Sequence, residues 1–108
     1  MKFKRITAVI RNGLLPKVEE SLTEYGVKGV TIGKVKGFGE YANFFAEDWM
    51  SEHVRVDLFV RTDEVQGLVD LIMDAANTGN EGDGLVAVTP VDEVYRIRTR
   101  KPARPDEI

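Results

Sequence analysis

The sequence predicts a mixed α+β domain with the element order β-α-β-β-α-β. Short β-branched runs of strand length alternate with two longer segments whose apolar residues recur at helical spacing. Glycine and proline stand at the junctions between these segments, where they end one element and permit the next. A chain of 108 residues is long enough to form one such domain with a real core, and no linker divides it.

The first half of the chain contains two predicted strands and one helix. The β-branched run 6–10 is the first strand. Pro16 suits the first turn of the following helix, where its missing N–H costs nothing, and Gly26 ends that helix. The apolar face of this helix is formed by Leu14, Leu15, Val18 and Leu22. Residues 30–35 alternate imperfectly and are predicted to be the second strand.

A long connection, residues 37–53, separates the second strand from the third. It mixes aromatic and acidic residues, and an irregular loop of more than ~12 residues in a small domain is usually functional or mobile. A short helix covering the sheet is the alternative, because four of its residues have i, i+4 spacing. These are Phe44, Phe45, Asp48 and Trp49.

The second half of the chain predicts a strand, a helix and two further strands. The third strand is 54–60, and Asp63 is predicted to cap the second helix. The buried stripe of that helix is Val65, Leu68, Val69, Ile72 and Met73. The fourth strand is 85–89, residues 90–93 turn the chain, and 94–98 form a short extra strand. The tail is predicted to be mobile or docked on a neighbour. This order is that of the ferredoxin-like βαββαβ plait.

Composition indicates a folded globular chain and excludes several classes of protein. The hydrophobic share is 43% and the charged share 31%, with a net charge of −3, so we expect no nucleic-acid partner. No apolar run approaches the ~20 residues of a membrane span, so we expect no membrane insertion and a cytoplasmic location. With no cysteine and a single histidine, the chain has no disulfide, zinc–thiolate or multi-histidine metal site, and none is predicted.

A glycine-rich segment, residues 78–84, is the strongest candidate for a binding site. Glycine permits positive φ and close backbone approach, and successive N–H groups in such a turn can form an anion nest. Arg96 and Arg98 are two residues apart in the predicted extra strand, so both would point to one face and clamp a phosphate. A tight turn beside a solvated strand is the alternative, and it is the favoured explanation of the glycines taken alone.

Four stretches, in this order and spacing, resemble the PII signal-transduction family. Residues 29–31 lead into 35–39, which look like the exit of that family's second strand and the base of its T-loop. Residues 75–84 look like its B-loop, and 91–99 look like its C-terminal strand with the start of its C-loop. The chain is accordingly identified as a single PII-like domain, residues 1–108, with a shortened T-loop. The T-loop is 37–53, the B-loop 78–84 and the C-terminal loop or tail 99–108.

The resemblance implies a homotrimer with an adenine nucleotide in each of three intersubunit clefts, and no catalysis. The T-loop would grip an unidentified target protein, with a membrane transporter among the candidates. The residues implied at the phosphates are Gly79, Gly82, Asp83 and Gly84, with Arg96 and Arg98 from the adjoining subunit. Those implied near the base and ribose are Thr31, Gly37, Phe38 and Gly39, with Asp57 and Phe59 beside the adenine.

Departures from the family pattern shape the expected ligand. Leu85 stands where members usually carry a lysine that reaches the β- and γ-phosphates, and His53 replaces another lysine near the terminal phosphate. Glu40 and Tyr41 follow the Gly-Phe-Gly, where a glutamine that helps hold Mg²⁺ and 2-oxoglutarate is usual. We therefore expect ADP or AMP to be preferred, with ATP and bicarbonate as further candidate ligands and inorganic-carbon physiology as the setting.

Two other functions remain open at this point. The first is a nitrogen-metabolism regulator that responds to ATP and 2-oxoglutarate and kept its targets despite the shortened loop. The second is a small ferredoxin-like enzyme, in which His53, Asp57 and Asp83 would be the acid–base groups. No spacing in the sequence requires that enzyme. A trimer that is only a scaffold would leave the glycine loop and the paired arginines unexplained.

Overall fold

The fold is a four-stranded antiparallel sheet with two helices packed against one of its faces. The computed structural model describes residues 2–36 and 50–108. The main elements are β1 (Phe3–Arg11), α1 (Leu15–Tyr25), β2 (Thr31–Lys36), β3 (Met50–Arg61), α2 (Val65–Ala76) and β4 (Leu85–Val91). Two short strands, β5 (Tyr95–Arg96) and β6 (Lys101–Pro102), form a separate ribbon. The predicted ferredoxin-like plait with an additional C-terminal strand is confirmed, and neither helix is long and apolar enough to cross a bilayer within the described ranges.

The sheet has the strand order β2-β3-β1-β4, so β1 lies between β3 and the edge strand β4. Successive side chains of a strand point to opposite faces. On β1, Ile6 and Ala8 face the helices and pair with Leu58 and Val56 of β3. The intervening residues of both strands point to the other face, which we call the open face because neither helix of residues 2–36 and 50–108 covers it. Arg5, Thr7, Val9, Arg55 and Asp57 lie on it.

Helix α1 matches its prediction closely. Pro16 lies in its first turn, and Val18 and Leu22 are buried against the sheet. Gly26 ends the helix in the left-handed conformation, with φ of 105°, and its N–H is hydrogen-bonded to the carbonyl oxygen of Leu22. Gly26 is therefore a C-terminal stop in which the freed carbonyl groups of the last turn are satisfied.

Helix α2 differs from its prediction at both ends. Asp63 lies in a 3₁₀ turn, Thr62–Glu64, and makes no capping hydrogen bond; instead its carboxylate is 3.4 Å from Arg61. Met73 is not part of the buried stripe, since it is 46% exposed. Leu68 and Ile72 are buried as predicted, and the stripe continues through Ala75 and Ala76. These two small residues follow Ile72 at spacings of three and four, whereas Met73 lies about 100° further round the helix.

Strand β3 begins at Met50, four residues earlier than predicted, inside the segment expected to be loop. The residues before Val54 carry no alternating pattern, so their strand structure comes from pairing with the neighbouring strands β1 and β2, and Met50 pairs with Lys36 of β2. Arg11, for example, pairs with His53. The expected helical turn near Phe44 and the rest of 37–49 lie outside the described residues.

Strand β4 and the predicted extra strand also have different limits. β4 continues through Pro90 and Val91, which were expected to form a turn. Proline is tolerated there because β4 is an edge strand with one unpaired side. The extra strand is only Tyr95–Arg96, and residues 97–100 form a turn in which Arg100 has φ of 60°. Arg96 and Arg98 therefore do not share one strand face, and that part of the prediction is wrong.

Candidate functional site

The glycine loop, residues 78–84, is closed on itself by the Asp83 side chain. The carboxylate accepts hydrogen bonds from the backbone N–H groups of Thr78 and Gly79, both at 2.9 Å, and from the Thr78 hydroxyl. These donors, with Arg11 beside them, hold the pKa of Asp83 well below its usual range. The negative charge of Asp83 therefore stabilises the loop conformation and is paired with the guanidinium of Arg11.

All three loop glycines have positive φ, at 82° for Gly79, 93° for Gly82 and 96° for Gly84. Gly84 also packs against β1: a Cβ there would lie 2.8 Å from the carbonyl carbon of Val9 and closer still to its oxygen. A Cβ at Gly79 would meet nothing within 4 Å. Gly84 is thus required by packing, while the backbone at Gly79 is open to an approaching group.

Two side chains at one end of the sheet hold the loop from below. Arg11 donates from Nε to Asp83, at 3.1 Å, and from Nη2 to the carbonyl oxygen of Glu81, at 2.6 Å. His53, its partner in the β1–β3 register, has Nε2 2.5 Å from the carbonyl oxygen of Gly82. Because a carbonyl only accepts, Nε2 carries the hydrogen. Two loop carbonyls are thereby bound toward the sheet. The amides of Thr78, Gly79 and Asn80 are engaged within the loop itself, so the amides that remain to face an anion are those of residues 81–84.

Neither of these contacts was predicted from the sequence. His53 was expected near a terminal phosphate, but it is only 4% exposed and its ring is bonded to the loop backbone. Arg11 was not singled out, since the first strand was expected to end at Ile10. The one available signal was a basic residue directly after a strand. Its partner, Asp83, is 72 residues away.

Asp57 lies on the open face and is bound entirely by its own chain. It accepts a hydrogen bond from Thr7 at 2.6 Å and from Arg5 at 2.9 Å, and Arg55 lies 2.8 Å from its second oxygen. Burial alone would raise the pKa of Asp57, but these hydrogen bonds and the two guanidinium charges hold it below its usual range. Thr31 of β2 is the register partner of Asp57. Asp57 and Thr31, both predicted site residues, are thus neighbours.

A cleft of about 490 Å³ lies at the far end of β3 from the glycine loop. Phe59 and Arg96, both predicted site residues, line it together with Gly29 and the tail residues Asp106 and Glu107. His53, which contacts the loop, and Phe59 are six residues apart on one strand, which corresponds to roughly 20 Å. One chain therefore holds two separated half-sites, the glycine loop and the Arg96 cleft.

The remaining predicted site residues are Arg98 and three residues of the predicted T-loop. Arg98 lies exposed in the turn 97–100 and is not among the residues that line the Arg96 cleft. Gly37, Phe38 and Gly39 lie outside the described residues. Within 2–36 and 50–108, no group of three or more acidic or histidine side chains is arranged to hold a metal ion.

Comparison with known proteins gives one consistent family. Residues 3–101 match the family model described as "Nitrogen regulatory protein P-II". The P-II protein of Azospirillum brasilense is 36% identical over 104 residues, covering 89% of this chain and 92% of that protein. A P-II homolog of Oryza sativa subsp. japonica is 36% identical over 106 residues, covering 91% of this chain and 50% of that protein. The chain thus spans about half the length of this plant relative.

A solved structure agrees with the sequence comparisons. It is described as Arabidopsis thaliana PII bound to citrate, and it is 31% identical in sequence with a TM-score of 0.78. The similarity covers 94% of this chain and 89% of that one.

Proposed function

The chain belongs to the nitrogen regulatory protein P-II family, whose members are regulators and not enzymes, and on this premise we propose a specific ligand and mode of action. It binds an adenine nucleotide between the subunits of a homotrimer and controls a target protein through the segment 37–53. The observation that carries this is the separation of the two half-sites. Since they lie roughly 20 Å apart on one chain, one phosphate group contacts both only when they come from different subunits.

The contacts follow from the chemistry of each half-site. The loop amides of Glu81 and Gly82 receive the phosphates from one side, and Arg96 of the adjoining subunit reaches them from the other. The Gly79 amide is bonded to Asp83, so Gly79 contributes an open backbone face and not a hydrogen bond. Arg98 belongs with Arg96 in this assignment and has to turn toward the ligand from its exposed position. Base and ribose lie beside the remaining set, which is Thr31, Gly37, Phe38, Gly39, Asp57 and Phe59. Asp83 and Gly84 act by shaping the loop.

These findings bear on two alternatives, the inorganic-carbon setting and the ferredoxin-like enzyme. The curated relatives described above are named for nitrogen regulation, so nitrogen metabolism is a better supported setting than inorganic carbon. The enzyme alternative needs His53, Asp57 and Asp83 as acid–base groups. All three are instead engaged by their own chain, His53 with the Gly82 carbonyl and the two carboxylates with arginine, threonine and backbone donors. The family and these contacts both favour a binding protein.

The assembly gives the first prediction. Light scattering on the purified chain is expected to report a particle of about three times 12.1 kDa at micromolar concentration. The physical reason is the open face, which no helix of the described chain covers and which carries the exposed apolar side chains of Phe59 and Leu85. Particles of one chain at that concentration would contradict both the trimer and the shared site.

The second prediction concerns nucleotide preference. Leu85 is 45% exposed at the start of β4, directly after the loop, and it supplies no charge to a third phosphate. ADP or AMP is therefore expected to bind at least as tightly as ATP, and Leu85→Lys is expected to favour ATP by about tenfold or more, since a charge-assisted contact contributes ~1.5–3 kcal/mol. Competitive titration of the three nucleotides measures this.

The matched control for the added charge is Val88→Lys on the same strand. Val88 is 39% exposed but pairs with Ile6 and so faces the helix side of the sheet, away from Leu85. It is expected to leave the preference unchanged. If wild-type protein binds ATP tenfold more tightly than ADP, and 2-oxoglutarate tightens it further, the ADP or AMP assignment is wrong and the nitrogen-type ATP sensor is correct.

A further inference from the structure

The C-terminal segment folds back onto its own chain. Strand β6 pairs with β5, and the buried Ala103 donates its N–H to the carbonyl oxygen of Val94 at 2.7 Å. A 3₁₀ turn, Pro105–Glu107, follows and is closed by the Glu107 carboxylate, which accepts the N–H of Arg104 at 2.8 Å. The segment Arg104–Glu107, here called the acidic tail, is therefore held in a defined position.

The acidic tail occupies the guanidinium group of Arg96. Nη2 of Arg96 donates to the carbonyl oxygen of Glu107 at 2.6 Å, and Nε lies 3.4 Å from the Glu107 carboxylate. Lys28 holds the preceding residue, donating to the carbonyl oxygen of Asp106 at 2.5 Å. The Arg104 N–H, with the charges of Arg104 and Arg96, keeps the pKa of Glu107 below its usual range. At neutral pH the tail thus places an anion on Arg96.

The acidic tail forms part of the wall of the Arg96 cleft. Asp106 and Glu107 line the cleft of about 490 Å³ together with Gly29, Phe59 and Arg96. A guanidinium presents a fixed fork of N–H donors that suits a carboxylate and a phosphate equally. In this structure two of those donors, Nε and Nη2, are already directed at Glu107. A phosphate group that takes a bidentate contact with Arg96 through Nε and Nη2 has to remove Glu107 first.

We propose that the acidic tail is a built-in competitor of the nucleotide, with Glu107 taking the place of a phosphate group on Arg96. The tail and the nucleotide phosphate compete for the Nε–Nη2 edge of Arg96, so the tail lowers the affinity of the site. This competition rests on the nucleotide site proposed above. It is tested separately from that site once wild-type protein is shown to bind nucleotide. Arg96 and Glu107 have side chains 47% and 25% exposed, so the competing contact is weak enough to be displaced.

The test is calorimetric titration of the full chain with ADP at low salt, comparing wild type with Glu107→Gln. The substitution removes the charge and keeps the size, and we expect ADP to bind about two- to fivefold more tightly, as a pair of this exposure corresponds to at most ~1 kcal/mol. Glu20→Gln on the exposed side of α1 is the matched control, and it removes the same charge with no expected change in affinity.

A second measurement separates displacement of the tail from a general charge effect. Hydrogen exchange at Arg104 and Glu107, whose amides are bonded within the tail, is expected to become faster when ADP saturates wild-type protein. Tighter binding by Glu107→Gln together with faster exchange supports the competition. Unchanged or weaker binding, or exchange that is not accelerated, overturns it while leaving the nucleotide site intact. If no variant and no wild-type sample binds ADP, the proposed function and the competition are both wrong.

Discussion

Replacing Gly84 with alanine is expected to lower the free energy of unfolding by about 2–6 kcal/mol. Two costs add: a non-glycine residue at φ of 96° costs ~1–3 kcal/mol, and forcing a methyl group into filled space costs ~1–3 kcal/mol more. The obstacle is the backbone of Val9, which pairs with Leu85 in the β1–β4 ladder and so cannot shift alone. Denaturant unfolding at fixed chain concentration measures the change, because the stability of an oligomer depends on concentration.

Two other glycines separate those costs. Gly26 has φ of 105° but open space around it, so Gly26→Ala is expected to show the backbone cost alone. Gly13 has neither a positive φ nor a neighbour within 4 Å, and Gly13→Ala is expected to change stability by a few tenths of a kcal/mol at most. If Gly84→Ala costs no more than Gly26→Ala, the close approach of the loop to Val9 does not constrain the folded protein.

The fold could largely be predicted from the sequence because its helices and strands carry strong local patterns. Pro16 and Gly26 mark the ends of α1, and the alternating apolar residues of β1 and β3 mark the buried face of the sheet. The start of β3 could not be predicted, since the residues before Val54 are extended by pairing with β1 and β2 and carry no local pattern. The limit of β5 depends on Arg100, whose positive φ is unusual for arginine and leaves no trace in the sequence.

The candidate site was predictable in its backbone parts and not in its long-range contacts. Clustered glycines indicate a loop with positive φ angles, and the loop at 78–84 has positive φ at three positions. Contacts between residues far apart in the chain have no local signal, so Arg11 on Asp83 and His53 on the Gly82 carbonyl were missed. The occupation of Arg96 by Glu107 was missed for a different reason: alternation placed Arg96 on an extended strand, and a turn brings the tail back to it.

Replacing Arg96 with alanine is expected to weaken ADP binding by about ten- to a hundredfold. A charge-assisted hydrogen bond to phosphate contributes ~1.5–3 kcal/mol, and each 1.4 kcal/mol is a factor of ten in affinity. Arg98→Ala is the informative comparison. The sequence alone predicted equal losses from two arginines on one strand face, whereas only Arg96 lines the cleft, so we expect the smaller loss from Arg98→Ala. Calorimetric titration of both variants measures the difference.

The loss in Arg96→Ala has to be separated from disturbance of the tail, because Arg96 also holds Glu107. Arg104→Ala provides that control: Arg104 contacts Asp106 and Glu107 within the tail, is 74% exposed, and is not among the residues that line the cleft. It is expected to bind ADP as tightly as wild type or slightly more tightly, since it loosens the competitor without removing a phosphate contact. Equal affinity in wild type, Arg96→Ala and Arg98→Ala would show that neither arginine meets the nucleotide, and the phosphate contacts would then have to come from the glycine loop alone.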